Sequence, residues 1–309
     1  MSTSGSKKIV IAALIGNGLI TATKFAASYF TGSSAMLSEG IHSLVDTCNQ
    51  ALLLYGMHRS ERPADKAHPF GYAREIYFWA FVVAILIFAI GAGVSVFEGV
   101  NKLYAPKPIT NAYINYIVLG LAFLFEACAW WLALCEFRRV KGKMSYLEAT
   151  RKSKDPALFT VLFEDTAAMI GIIVAFLGIF IGEFYSLSWM DAAASIIIGI
   201  ILAIVASILA YECKGLLVGE GASDKVVESI HALIEKHSSS STLNELLTMQ
   251  LGPSDILVNI SLDFATGLSA EDVERDISDL EIKIKSTHAD VKRVFIEAQS
   301  FSAHLRHKK

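Results

Sequence analysis

The chain has 309 residues, of which 53% are hydrophobic and only 18% charged, with a mean hydropathy of +0.48 and a formal net charge of −3. A soluble globular chain is nearer a quarter charged, so an ordinary soluble domain is excluded. The near-neutral balance gives no argument for nucleic-acid binding. The polarity is uneven: Lys214–Lys309 carries 15 acidic and 11 basic residues, net −4, which leaves about +1 on the apolar stretch from Met1 to Cys213. Two domains are expected, a membrane part over 1–213 and a polar part over 214–309.

The N-terminal MSTSGSKK precedes an apolar run without a small-residue cleavage pattern, and the run is long enough to span. It reads as a retained first helix. A span needs about 20 mostly apolar residues. Six candidates follow in order: Ile9–Phe30, Ala35–Gly56, Tyr77–Val100, Tyr113–Phe137, Leu158–Ile181 and Met190–Tyr211. Lysine and arginine sit on one side of this array. Lys7 and Lys8 precede the first span, Arg59, Arg62, Lys66 and Arg74 follow the second, and seven basic residues lie between Arg138 and Lys154. The opposite loops hold only Lys102 and Lys107. Positive charge marks the cytoplasmic side, so both termini are expected there, in a multi-pass protein of the plasma or inner membrane, with an organelle membrane as the other setting. Lys24, inside the first span, is expected to snorkel toward the outer headgroups.

Past Lys214 the pattern changes. A helix is expected over Asp224–His237, a strand over Leu243–Leu251, and a turn in HSSSST between them. DILVNISLDF alternates, with Ile256, Val258, Ile260, Leu262 and Phe264 on one face, as in a half-buried strand. Val273, Ile277, Leu280 and Ile284 lie at steps of four, three and four, an amphipathic helix capped by Ser269 and Asp272. A last strand is expected over Lys292–Gln299. The order αββαβ predicts an α+β domain with helices on one face of a three-stranded sheet.

Several side chains do not belong in hydrocarbon. The second span holds Glu39, His42 and Asp46, the fourth Glu126, and the fifth Glu164 and Asp165. A charged group at the bilayer centre costs about 2.5–3.5 kcal/mol on insertion scales. His42 and Asp46 are four apart, so they share a helix face, about 6 Å apart along the axis. One imidazole and a carboxylate aimed at a common point suit a divalent cation such as Zn2+. Glu164 and Asp165 are adjacent and differ by about 100° in direction, so both cannot face one site equally well. Glu126 has no evident partner. The cysteines at 48, 128, 135 and 213 form no CxxC pair and read as buried apolar groups. No GxxxxGK[ST] run and no nucleophile–base constellation occurs, so neither an ATP-driven pump nor an enzyme is expected.

The segments TGSSAMLSEGIHSLVD, DKAHPFGYAREIYFWA, MDAAAS and GLLVGEGA together resemble the cation diffusion facilitators, a family of divalent-metal efflux transporters. The resemblance implies six spans, a ferredoxin-like cytoplasmic tail and a homodimer. It implies that His42, Asp46 and Asp165, with Glu164, form the transport site. Many members carry HxxxD on the fifth span; here the position four before Asp165 is Val161. Glu164 or water then takes the missing place, and the Glu-Asp form is similar to a branch that includes a mitochondrial zinc exporter. The resulting expectation is efflux of divalent cations, zinc favoured, by metal/proton antiport with alternating access. Manganese, iron(II) or cobalt is the alternative substrate, and a non-transporting metal-responsive regulator the alternative role. The metal is a substrate and a candidate regulator, not a cofactor. Protons are the counter-ion, and membrane lipid the surroundings. The resemblance also implies a secondary site at Asp65 and His68, weakened by Tyr72, against a reading as a solvated structural turn. His231, His288 and Asp290, with His237, are candidates for a tail site; His304 and His307 lie on the final segment.

Overall fold

The computed structural model describes residues 3–105, 111–141, 145, 149, 154–237 and 241–307. Residues 238–240 of the expected serine-rich turn, Lys107, and most of the basic segment after the fourth helix lie outside the described residues. The chain divides into two compact units, Met1–Arg59 with Glu75–Lys214, and Ser60–Arg74 with Gly215–Lys309.

Among the described residues the first unit is built on six long helices, two of which run a few residues past its bounds: α1 (Thr3–Thr31), α2 (Ser34–Ser60), α3 (Glu75–Tyr104), α4 (Ala112–Lys141), α5 (Pro156–Phe184) and α6 (Met190–Val218). Four of them, α3 to α6, are long and apolar enough to cross a membrane among the described residues. α2 falls short of that measure because it carries the polar column described below. Midway along α3 the residues Ile87–Ala92 form a π-helical turn, which widens the coil without ending it.

The break between α1 and α2 has a local cause. Gly32 takes φ +69°, a left-handed conformation that a side chain would oppose. Ser33 then caps α2, accepting from the Met36 N–H at 3.1 Å. Asp191, at the start of α6, completes the cap. Its carboxylate accepts from the Ser33 hydroxyl at 2.5 Å and from the Ser34 N–H at 2.7 Å. Lys102 of α3 donates to the same carboxylate at 2.6 Å and to the Gly32 carbonyl at 2.5 Å. A carboxylate at a helix N-terminus meets both unpaired amides and the positive end of the dipole. Three helices and a turn therefore meet at one buried ion pair. At the other ends of α2 and α3, Arg59 grips Glu75 through Nε at 3.0 Å and Nη2 at 2.8 Å, a bidentate fork.

The second unit contains α7 (Asp224–His237), β1 (Ser241–Gly252), β2 (Asp255–Phe264), α8 (Ala270–Thr287), β3 (Val291–Ala298) and α9 (Phe301–His307). β2 pairs antiparallel with β1 and parallel with β3, giving the order β1-β2-β3. The parallel pair requires a crossover, which α8 supplies. Its start is the expected capping box, Ser269 with Asp272. Ile256, Val258, Ile260 and Leu262 of β2 form one core with Ile230 and Ile234 of α7 and Leu280 and Ile284 of α8. Both helices thus cover the same face of the sheet. The final segment is the short helix α9.

Asp191→Asn leaves Lys102 without its counter-charge in a buried setting. Breaking such a pair costs about 3 kcal/mol. The detergent-solubilised variant should lose monodispersity at a clearly lower temperature than the parent; an unchanged temperature would contradict the assignment.

Candidate metal centre

The polar residues of α2 form a column. Glu39, His42, Asp46 and Asn49 are spaced by three or four residues, which keeps them on one helix face, and Ser43 adjoins His42, four after Glu39 and three before Asp46. All five are buried. His42 Nε2 lies 3.4 Å from Asp46 Oδ2. Three residues on, the Asn49 amide donates to Glu164 Oε1 of α5 at 2.9 Å. Glu164 is buried and Asp165 half-buried, as the 100° step between neighbours requires. The carboxylates of Glu164, Glu126 and Asp165 all act electrostatically on Asp46. The acidic groups of α2, α4 and α5 therefore address a common region.

Hydrogen bonding leaves this region unfinished. His42 Nδ1 and Nε2, Asp46 Oδ1, Asn49 Oδ1 and Asp165 Oδ2 are all buried, and none has a hydrogen-bond partner among the described residues. Buried polar groups are normally satisfied, so each exception calls for a cause. A set of nitrogen and carboxylate donors directed inward is the donor chemistry of a divalent cation. Among the described residues, however, no group of three His, Cys, Asp or Glu side chains stands close enough together to hold a metal ion. The α2 pair is in place; the α5 acids face the same region without closing on it. Val161, one turn before Asp165, is half-buried and has no ligating atom.

Two of these side chains went unassigned in the sequence, and a third, Lys24, was expected elsewhere. Asn49 orients Glu164, a role signalled only by its place three residues after Asp46. Glu126 of α4 is buried. Lys24 does not snorkel. It is fully buried and donates to Glu39 at 3.1 Å and Ser43 at 2.7 Å, because a carboxylate across the α1–α2 contact satisfies the ammonium better than a long reach to headgroups.

Residues 10–218 match the model of the cation efflux transmembrane domain, two-thirds of the chain. The chain belongs to the cation efflux family. It is 33% identical over 263 residues to the mitochondrial proton-coupled zinc antiporter of Homo sapiens, covering 84% of this chain and 46% of that protein. It is 28% identical over 261 residues to metal tolerance protein C4 of Arabidopsis thaliana, covering 84% and 57%. It is 23% identical over 280 residues to a manganese efflux system protein, MneS, of Bacillus subtilis, covering 90% and 91%. The chain spans about half the length of the zinc antiporter it matches.

The other candidate residues of this cation efflux protein are arranged differently. In the α2–α3 loop, Asp65 accepts from the His68 N–H at 2.7 Å, the Ala67 N–H at 2.9 Å and the Tyr72 hydroxyl at 2.7 Å. Both carboxylate oxygens thus shape the loop, and the His68 ring lies against Tyr72 with centroids 4.2 Å apart. In the tail, His231 pairs with Glu235 at 3.2 Å, His237 with Asp276 at 3.2 Å, and His288 with the Ser229 hydroxyl at 2.9 Å. The Asp290 carbonyl accepts from the Ile256 N–H at 2.8 Å. Among the described residues, His231, His288 and Asp290 do not form a group that could hold a metal ion. His304 is buried beside Gln299 and Glu245.

The Tyr72 hydroxyl, then the His68 and Ala67 amides, hold the Asp65 carboxyl below its ordinary value of 3.8. A depressed folded value contributes stability above the unfolded value and loses it as pH falls through the folded one. The loop should therefore hold its form to pH values below 3.8. The amide resonances of Ala67 and His68 should move only below that pH, and in Asp65→Asn they should be displaced at neutral pH. Movement already at pH 5 to 6 would contradict this.

Proposed function

We propose that this chain exports divalent metal cations, zinc favoured, in exchange for protons. The observation that carries the reading is the set of buried, unbonded donor atoms on His42, Asp46 and Asp165, drawn from α2 and α5. His42 and Asp46 form the preset half of the transport site. Asp165 joins them, with Glu164 held by Asn49 as the fourth candidate ligand. No ligand comes from position 161. The human relative named a proton-coupled zinc antiporter supports zinc and protons as the exchanged ions.

The exchange follows from ligand chemistry. A metal ligand must be deprotonated, so loading a cation releases protons and protonation releases the cation. The His42 imidazole and the Asp46 and Asp165 carboxylates can each hold either a proton or a metal. In the inward-facing state the α5 acids close on the α2 pair around the cation; in the outward-facing state protons take its place. The six long helices would all span, with both termini and the tail on the cytoplasmic side, as the lysine and arginine asymmetry supports. The membrane is the plasma or inner membrane, or an organelle membrane, which the mitochondrial relatives support. On this reading residues 1–213 are the transport domain. Residues 214–309, with their αββαβ order, form a ferredoxin-like regulatory domain that joins two copies into a homodimer.

A second reading has its own support. One imidazole among several carboxylates is a hard donor set, which suits manganese better than two imidazoles would, and a manganese efflux protein is among the relatives.

In proteoliposomes the parent should concentrate zinc against its gradient only while a pH gradient stands. His42→Ala should reduce the rate at least about a hundredfold, as expected for losing a first ligand. Val161→His should shift preference toward zinc over manganese. Concentrative uptake that survives collapse of the pH gradient, or an active His42→Ala, would refute antiport at this site.

A further inference from the structure

The α2 column continues past the metal ligands. Glu39 stands one turn before His42, fully buried, with Lys24 of α1 at 3.1 Å on Oε2. Lys24 also donates to Ser43, one residue after His42, at 2.7 Å. The other carboxylate oxygen of Glu39, Oε1, is buried without a hydrogen bond. It lies against Gly171 of α5, where any side chain would collide with it. A buried ammonium from α1 is thus held against the α2 face that carries the histidine, between Glu39 and Ser43.

A buried ion pair is poor evidence of stability, since desolvation offsets the attraction. Its charge, however, reaches far at low dielectric. The Lys24 ammonium bonds to the side chains one turn before His42 and directly after it, which sets its charge within the reach of a dication at His42 and Asp46. Glu39 meets that charge through Oε2 alone. A dication arriving at His42 and Asp46 therefore meets strong attraction from the acids and a built-in repulsion from Lys24.

We propose that Lys24 is a tethered cation that weakens divalent-metal binding at His42 and Asp46 and so speeds release, with Glu39 setting how much of its charge the site feels. Neither residue ligates the metal; both position charge around it. A transporter needs such a term. A site of several carboxylates holds a dication tightly, and a cation that is held too long is not transported. The inference rests on the transport reading above.

Equilibrium binding of zinc to the full-length detergent-solubilised chain and zinc transport in proteoliposomes, measured separately, test it. Lys24→Gln should tighten binding on the order of tenfold and lower both KM and maximal rate. Glu39→Gln, which frees the lysine's charge, should weaken binding and raise KM by a similar factor. The double variant should return to within about threefold of the parent, by cancellation of charges. A purely structural pair would instead weaken binding or lower the rate in both single variants, without recovery in the double. Unchanged or weaker binding in Lys24→Gln overturns the proposal. If that variant does not fold, Glu39→Gln decides alone: tighter or unchanged binding overturns it. A parent that binds zinc but moves none refutes the transport reading, while the opposed shifts in affinity would still establish the charge effect.

Discussion

Removing a charged side chain from water is costly unless something replaces the water, and the membrane-type unit depends on how that replacement is arranged. Three solutions occur along its helices. Asp191 is met by Lys102 and by the amides that open α2. Lys24 is met by Glu39 and Ser43. At His42, Asp46 and Asp165 the replacement is incomplete, and bonding atoms remain unused. The first two account for themselves as structure. The third is what the proposed transport of a cation, which arrives and leaves, would account for.

The contrast also orders the molecule from one side of the bundle inward. The Asp191 cluster is rigid by construction: a capped helix, a glycine turn and two further helices share one carboxylate. The region around His42 has its α2 half fixed by helix spacing, while its α5 half is steered by a single amide from Asn49. A transport site must bind and then let go, and a half-preset site with a repelling lysine nearby satisfies both needs. The π-helical turn in α3 lies in the same unit and marks where that helix departs from uniform coiling.

Much of this was legible in the sequence, for reasons that differ by element. The tail's alternation and its Ser269 capping box depend on neighbours along the chain, and the elements fall within a residue or two of their expected bounds. The second helix was legible for the opposite reason, since buried charge violates its surroundings. What was not legible depends on contacts between helices. Lys24 was misread because snorkelling is the rule for a lone lysine, and nothing local places Glu39 within 3.1 Å of it. Glu126 remained without a partner for the same reason. Asp65 was divided between a ligand and a turn former; its three hydrogen bonds within the loop are those of a turn former.

The central claim is that a divalent cation is held between α2 and α5 by one imidazole and carboxylates. X-ray absorption at the zinc edge, on the zinc-loaded chain and on His42→Ala, tests it most directly. The account predicts one nitrogen near 2.0–2.1 Å with the remaining ligands oxygen near 2.0–2.2 Å and no sulfur. It also predicts that the imidazole scattering disappears in His42→Ala. Sulfur near 2.3 Å, or an imidazole signal that persists in the variant, would contradict it.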